Sequence, residues 1–600
     1  MQYEGKVGIL DVHLFSIPDS QKRDQSAVSF VQWLESSKEG GAYHPVTWFE
    51  EQIKRKREKR MDIRDPLYQD QWHLHSVKPA EVRNHLDLEK VWEKGHLGKG
   101  IRIAIVDDGI QTTHPDVAAN IALDSSYNFN LNKPSPDPTY LHGPSGDWHG
   151  TASAGAAAAR IDHYTCGVGA APEAELAGIA ILQNNADVSD SVEAKALVYE
   201  YHKNHIYSNS WGPIQPGAGH MNEAPGPLLD EAIRKAIKEG RGGKGSIYVW
   251  AAGNDGRAQD NCNYDGYANM RYTILIGSVD NTGFRPTYSE PCAALTAVTP
   301  GGTITAAAKI FTTDLLGPNG LSDGNCTTFA GTSASCPMAA GVLALVLEAN
   351  PGLSWLDLQY VLAKGADKHN DDPDWVQNGG GYWVSHHYGW GLMNPEKLII
   401  AAQEWGSKTI KEHIIEKVHA EPTKIEGVTK TALYVEESMA LHHVEVKLWT
   451  TNRNVANTEV ILESPFGTKA RLVERHRDTL SSWNGWKFLS RMHWGEDSKG
   501  DWTLYISDAG EKAELTKWEL ILYGDEDTLG KAETPTSQDD EQPTTEPKEI
   551  ENENEETSEF DVTVVFEEDN MMNILIVATV VVALILSLIF VAYYKSSRKK

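Results

Sequence analysis

Between about residues 100 and 400, short apolar runs alternate with segments of helical period, and no other feature constrains the fold as strongly. "IRIAIVDDGI", "GSIYVWAAGND" and "RYTILIGSVD" are apolar over strand length, whereas "LLDEAIRKAIKEG" repeats its apolar positions at helical spacing. Strands this apolar must be buried on both faces, and strands separated by helices return in the same direction. The pattern therefore predicts an α/β fold, a parallel sheet covered by helices on both faces. In such sheets functional groups gather at the carboxyl ends of the strands.

From about 410 to 524 the period shortens. "HHVEVKLWT", "NTEVILESP", "KARLVERH", "GDWTLYISD" and "LTKWELILYG" are strand candidates punctuated by Gly, Pro and Asp, which predicts an all-β sandwich or jelly roll. The net charge of the 600-residue chain is −29. Residues 525–570 hold 18 acidic and 2 basic side chains, so this stretch supplies −16 and is expected to be a disordered, self-repelling stalk. The folded remainder is moderately acidic, which argues against nucleic acid as a partner and permits basic substrates.

"ILIVATVVVALILSLIFVA" (574–592) carries no charge and is followed by Tyr593, Tyr594 and "KSSRKK". Its length suits a membrane span with a cytosolic basic end and a lumenal or extracellular remainder. A core helix or a tail anchor are the alternatives. The opening "MQYEGKVGILDVHLF" is not a signal peptide, so the N-terminus is expected to be incomplete. Residues 1–60 end in the basic run "KRKREKR", either solvated surface, a localisation signal or a processing site after Arg60. Five cysteines cannot all pair, and "NCT" at Asn325 is a single glycosylation sequon.

The chemistry starts from "FAGTSASCPMAAGVLALVLEAN" (329–350), in which small and hydroxyl residues lead into an apolar helix with Pro337 in its first turn. Ser333 there is either a plain cap or a nucleophile in the positive field of a helix start. A nucleophile needs a base, and the base needs a carboxylate to orient it. "IAIVDDGI" places Asp107 at a strand end, "DWHGTASAGAAAA" opens a helix at His149, and "VWAAGNDG" leaves Asn254 in a turn, able to donate to an oxyanion. Singly, each has an ordinary structural reading: a structural acid, a capping histidine, a turn asparagine. Together they stand in the chain order Asp, His, Ser with Asn before Ser, the subtilisin order.

"VDDGI", "HGTASAG", "NSWGP" and "GTSASCPMAAG" resemble the subtilase superfamily. The doubled Asp107–Asp108 and "GRGGKGSIYVWAAGN" resemble the kexin/furin proprotein convertases, and "SPFGTKARL" resembles their P-domain. The resemblance covers roughly residues 45–524. It implies a propeptide over 1–60, shortened at its N-terminus, and a catalytic domain over 61–408. A P-domain β-sandwich over 409–525 follows, then the stalk over 526–570, the membrane helix over 573–594 and a cytosolic tail over 595–600. It also implies the roles: Asp107, His149 and Ser333 as the triad, Asn254 as oxyanion donor, and Arg60 as the site of propeptide removal. The propeptide would act as an intramolecular inhibitor.

The family reads basic side chains with carboxylates, for which Asp108, Glu193 and Asp265 match. Gln215 stands where the family has an aspartate at the base of the pocket for the cleaved residue, and the loop after Pro213 is longer and poor in acids at its start. Calcium is implied as cofactor, with Asp65 and Asp116 at one site and Asp260 and Glu290 at another. Gln215 stands where a third ligand of the second site is usual, which should weaken that site, and His163 stands where an Asn ligand of the first is usual. Cys166–Cys326 and Cys262–Cys292 are the implied disulfides, leaving Cys336. The expected function is a membrane-anchored, calcium-dependent serine endoprotease of the secretory pathway (Golgi or a related compartment) that cuts precursor proteins after basic, typically paired, residues. The alternatives are a subtilase of relaxed or non-basic specificity and a catalytically silent binding protein.

Overall fold

The computed structural model describes residues 63–528 apart from 77–82, 140–145, 184–186, 214–221, 304–307, 323, 407–409, 478–479 and 511–512, together with four strands outside that span. Those four form one antiparallel sheet in the order Gln2–Lys6, Val12–Ile17, Phe560–Phe566, Val46–Gln52. Phe560–Phe566 corrects the expectation of a stalk without structure over its whole length. "FDVTVVF" is rich in β-branched and aromatic residues, which favour a pleated strand over a solvated coil despite acidic neighbours. Residues 529–559 and 567–570 of the stalk, the apolar run 574–592 and Arg60 lie outside the described residues.

The larger unit is built on a nine-stranded sheet. In chain order its strands are β1 (Arg102–Asp107), β2 (Tyr127–Asn128), β3 (Glu175–Ala180), β4 (Ile206–Asn209), β5 (Ile247–Ala251), β6 (Thr273–Val279), β7 (Ala297–Pro300), β8 (Ala366–Asp367) and β9 (Leu392–Met393). Their order across the sheet is β8-β9-β7-β6-β5-β4-β1-β3-β2, parallel throughout except for β8 against β9. The central strands are buried along their whole length, as their unbroken apolar runs require. Reversal of strand order around β1 leaves a crevice at the carboxyl ends, where β1 stops at Asp107 and β4 at Asn209.

Helices α1 (His149–Ala158), α2 (Asp190–Ala196), α3 (Pro227–Gly243), α4 (Thr332–Ala349), α5 (Trp355–Gly365) and α6 (Pro395–Glu404) cover the sheet; α1 packs on α4, and α2 on α3. Small residues in α1 and α4 permit the close approach: a side chain at Gly341 would meet the carbonyl of Ala157 at 2.7 Å. Among the described residues α4 alone is long and apolar enough to cross a membrane, yet it is a buried core helix.

α4 starts at Thr332, two residues earlier than the apolar run suggests, so Pro337 falls in the second turn rather than the first. Proline there has no N–H for the carbonyl of residue 333. That carbonyl instead accepts the hydroxyl of Ser210 at 3.1 Å, tying the helix start to the end of β4. The N-cap is Gly331, with φ 103° and no side-chain cap, so Ser333 is not a capping serine.

The segment after residue 410 is two antiparallel sheets. One runs Glu412–His419, Glu514–Asp525, Leu441–Thr451, Asn484–Ser490, and the other Val428–Val435, Gly500–Asp508, Thr458–Glu463, Lys469–Val473. Trp502, Leu504 and Ile506 alternate inward on one sheet, and Trp518, Leu520 and Leu522 on the other, as a sandwich demands. Four strands were absent from the sequence reading, one of them the two-residue Thr423–Lys424 paired with Glu514–Asp525. Glu412–His419 and Val428–Val435 lie at sheet edges with most side chains exposed or half-buried, and Asn484–Ser490 opens with the turn-like pair Asn-Gly.

Candidate active site

Asp107 is the last residue of β1 and is 1% exposed; His149 is the first residue of α1, its side chain 27% exposed. The Asp107 carboxylate receives Nδ1 of the imidazole, at 2.8 Å on Oδ2 and 3.0 Å on Oδ1. The same Oδ1 accepts the backbone N–H of Asp108 at 2.8 Å, which holds the carboxylate in place. Burial opposes protonation of His149, but the charge and hydrogen bond of Asp107, with Asp108 behind, outweigh it and raise the pKa from 6.5 to about 9.

Ser333 lies in the first turn of α4 and is half-buried. Its hydroxyl donates to the carbonyl of Ser210 at 3.5 Å, and no hydrogen bond joins it to His149 among the described residues. Phe329, which ends the strand leading into α4, meets the imidazole edge-on, ring centroids 5.1 Å apart. Asn254 sits beside the same helix start. Its Oδ1 accepts both the backbone N–H (2.9 Å) and the hydroxyl (3.0 Å) of Thr332, which leaves the Nδ2 hydrogens as the free end of the amide. Cys336, one turn on, is buried with its thiol pushed up to about 11, chiefly by desolvation, so it is a packing residue and not a second nucleophile.

The three acids matched to charge recognition fall in different surroundings. Asp265 Oδ1 accepts the N–H groups of Tyr267 (2.7 Å) and Ala268 (3.3 Å), and its Oδ2 faces Gly212, where a Cβ would stand 2.8 Å away. Burial raises its pKa to about 7, against those two N–H bonds, and Asp260 and Glu223 add to the rise. Glu193 accepts the hydroxyl of Tyr267 at 2.9 Å and has its pKa raised by burial. Asp108 meets the start of α1, with both oxygens on backbone N–H groups. Gln215 lies outside the described residues. Sequence reading missed Glu223. Its carbonyl accepts the N–H of Gly266 at 2.8 Å, bringing an acid beside Asp265 from the far end of the loop whose beginning lacks one.

The sandwich supports this region from behind. Asn263 exchanges two 2.9 Å hydrogen bonds with the backbone of Leu489, and Asn269 donates to the carbonyl of Lys487 at 2.8 Å. The segment bearing Asp260 and Asp265 is thereby fastened to the strand Asn484–Ser490. The disulfide Cys262–Cys292 fastens it to the segment after Glu290, and Cys166–Cys326 joins the loop after α1 to the strand leading into α4.

Two acid groups bear on metal binding. Asp255, Asp260 and Glu290 bring carboxylate oxygens within 4.8 Å of one another. Glu290 is buried and its pKa is pushed well up by desolvation and by Asp260, the mark of crowded acids that a cation would relieve. Three hard oxygens of full charge suit calcium. Asp255 escaped the sequence reading, because nothing in "NDG" marks it as facing the other two. At the other site Asp65 accepts the N–H groups of Asp162, His163 and Tyr164 at 2.7–3.1 Å. Asp116 accepts that of Cys166 at 2.8 Å, while its buried Oδ1 has no hydrogen-bond partner among the described residues, which fits an adjacent cation. His163 turns its Nδ1 to the carbonyl of Ile161 at 3.3 Å and offers no oxygen there. Asn325 is exposed.

A parallel sheet of this order, with an aspartate, a histidine and a serine gathered about its carboxyl edge, defines a subtilisin-like protein. The subtilase family model matches residues 98–391, and that of the proprotein convertase P-domain matches residues 441–522. The chain is similar to furin of Rattus norvegicus, 37% identical over 496 residues, covering 80% of this chain and 60% of that protein. It is equally similar to proprotein convertase subtilisin/kexin type 4 of Mus musculus, 37% identical, covering 82% of this chain and 75% of that protein. The chain thus spans about 60% of the length of the furins it matches. The serine protease of Aeromonas sobria shares the fold, with a TM-score of 0.67 at 21% identity over 77% of this chain and 95% of that one. The chain belongs to the furin-like proprotein convertases.

Proposed function

We propose that the protein is a calcium-dependent serine endopeptidase that cuts precursor proteins after basic residues. The observation that carries this reading is the Asp107 carboxylate on Nδ1 of His149 at the sheet edge that also receives the start of α4. Ser333 Oγ attacks the peptide carbonyl while His149 Nε2 takes its proton and later returns it to the leaving amine; Asp107 holds the tautomer that leaves Nε2 free. Asn254 Nδ2 donates to the developing oxyanion. The Ser333–His149 hydrogen bond would form as substrate arrives, since such catalytic bonds tighten in the enzyme–substrate complex.

Asp265, Glu193 and Glu223 form the acid wall for arginine or lysine, with Glu223 compensating for Gln215. The test is a panel of peptides ending in Arg–Arg, Lys–Arg and Ala–Ala before the cleaved bond. Cleavage of the basic pairs at least about a hundredfold faster supports the reading; equal rates would leave a peptidase of non-basic specificity. The furin relatives support a secretory compartment and a propeptide; the sequence alone supports its removal after Arg60, glycosylation at Asn325 and 574–592 as the membrane anchor.

Asp255, Asp260 and Glu290 would hold one calcium ion, and Asp65 and Asp116 part of a second; the ion would neutralise the buried acids behind Asp265. Calcium at about a hundred times its Kd should stabilise the fold by about 2.7 kcal/mol. A chelator should therefore lower Tm by several degrees, and Asp260→Asn or Asp255→Asn should blunt that response in a thermal melt. A Tm indifferent to calcium in the wild type would sink this assignment.

The raised pKa of His149 carries a sign. The base works only when deprotonated, so activity is lost as pH falls through the folded value. Because the ring is 27% exposed, water screens the pair, and the acid limb of kcat/KM should lie above 6.5 and below about 9. A limb centred at or below 6.5 would show that Asp107 does not hold the imidazolium.

A further inference from the structure

β5 ends at Ala251, and the chain turns at once through Gly253, Asn254 and Asp255. That turn is held from two sides. On one side the N–H of Gly253 donates to the hydroxyl of Thr332 at 3.2 Å, and Thr332 in turn binds Asn254 Oδ1 with its own N–H and hydroxyl. On the other side stands Glu290, 6% exposed. Its Oε1 accepts the N–H of Asp255 at 2.9 Å, and its own N–H donates to the carbonyl of Gly253 at 3.3 Å. Two hydrogen bonds from one residue therefore bracket Asn254, one on the residue before it and one on the residue after.

The approach is close. Gly253 has φ 105°, and a Cβ there would meet Glu290 Oε1 at 2.2 Å, Cδ at 2.4 Å and Oε2 at 2.6 Å. Glycine alone permits both that backbone angle and a carboxylate lying against it. One residue beyond the turn, the N–H of Gly256 donates to the carbonyl of Tyr288 at 2.8 Å, so 253–256 is laced to 288–290. With the backbone fixed on both flanks, Asn254 keeps only its side-chain torsions, and Thr332 settles those by binding Oδ1. An oxyanion donor acts through such preorganisation, because a donor that must be moved into place gives back part of its benefit. Glu290 also belongs to the acid group with Asp255 and Asp260, so the residues suited to a cation and the turn that carries the donor share a member.

We propose that Glu290 is a positioning residue for Asn254, holding the turn from Gly253 to Asp255 so that the side-chain amide meets the oxyanion. The inference rests on the peptidase reading above and gives Glu290 a task beyond holding a cation. A donor set loose by one ångström would lose rate in the chemical step and leave substrate binding nearly as it was.

The test uses the full chain in saturating calcium, an Arg–Arg peptide, and Glu290→Ala, Glu290→Gln and Glu290→Asp, each alone and with Asn254→Ala. Asn254→Ala should lower kcat by about 10²- to 10³-fold. Glu290→Ala should lower kcat at least about tenfold with KM within about threefold of wild type. Glu290→Gln, which keeps an oxygen for the Asp255 N–H, should recover most of that loss, whereas Glu290→Asp, which draws the oxygen back by a methylene, should not. In the Asn254→Ala background Glu290→Ala should cost no more than about twofold, because a residue that acts through the donor has nothing left to act on. Independently of turnover, the Nδ2 amide resonances of Asn254, assigned by their absence in Asn254→Ala and read in a Ser333→Ala background, should shift in Glu290→Ala and stay near their wild-type positions in Glu290→Gln. Losses that multiply in the double variant, a change in KM alone, no rescue by glutamine, or unmoved amide resonances in Glu290→Ala would overturn the proposal. If Glu290→Ala does not fold, Glu290→Asp takes its place in every comparison. If the wild type does not cleave the peptide, the peptidase reading fails, and the amide resonances still decide whether Glu290 fixes the turn.

Discussion

Ser333→Ala should lower kcat by about 10⁶-fold while the protein stays folded, since a subtilisin-type triad without its nucleophile retains only the catalysis of binding and oxyanion stabilisation. The side chain makes one long hydrogen bond, 3.5 Å to the carbonyl of Ser210, so its removal costs the fold little. The link between α4 and β4 survives, because it runs from the Ser210 hydroxyl to the backbone carbonyl of residue 333. Turnover of an Arg–Arg peptide and labelling by a serine-directed phosphonate read the effect. Residual labelling in the variant, or turnover within tenfold of wild type, would move the nucleophile elsewhere. Failure of the wild type to label would favour a silent binding protein.

Asp107→Asn should cost about 10⁴-fold in kcat. The geometry stays, because the amide oxygen can still accept the N–H of Asp108, now at 2.8 Å from Oδ1. The chemistry changes, because an amide that presents its N–H to Nδ1 stabilises the wrong tautomer and places the proton on Nε2, where the base must be empty. The acid limb of the residual activity should also move down, as the anion that raises the His149 pKa is gone. Pre-steady-state hydrolysis across pH 5 to 10 measures both effects. An unshifted limb with a small loss of rate would mean that the carboxylate is structural.

Local chemistry explains why much of this site was readable along the chain. Asp107, His149 and Asn254 each stand where a run of one period ends, and such ends mark strand and helix termini without any knowledge of their neighbours. The disulfide partners, by contrast, were legible only through resemblance, since five cysteines allow many pairings. Asp255 and Glu223 were legible by neither route. Each is an acid in a turn-rich segment: a local turn folds Asp255 onto Asp260 while Glu290 arrives from farther along the chain, and a non-local bridge puts Glu223 beside Asp265.

Asp108 shows the same limit from the other side. The sequence marks it as an acid next to Asp107, and resemblance assigns it to substrate; its neighbours in space also give it two backbone N–H groups. By itself, the order of residues determined an α/β sheet followed by a β-sandwich, because burial and backbone hydrogen bonding depend on periodicity that any window of the chain carries. The direction in which each carboxylate points was decided only by tertiary structure. A side chain satisfies whichever donor comes within about three ångströms, and that donor is supplied by residues tens or hundreds of positions away.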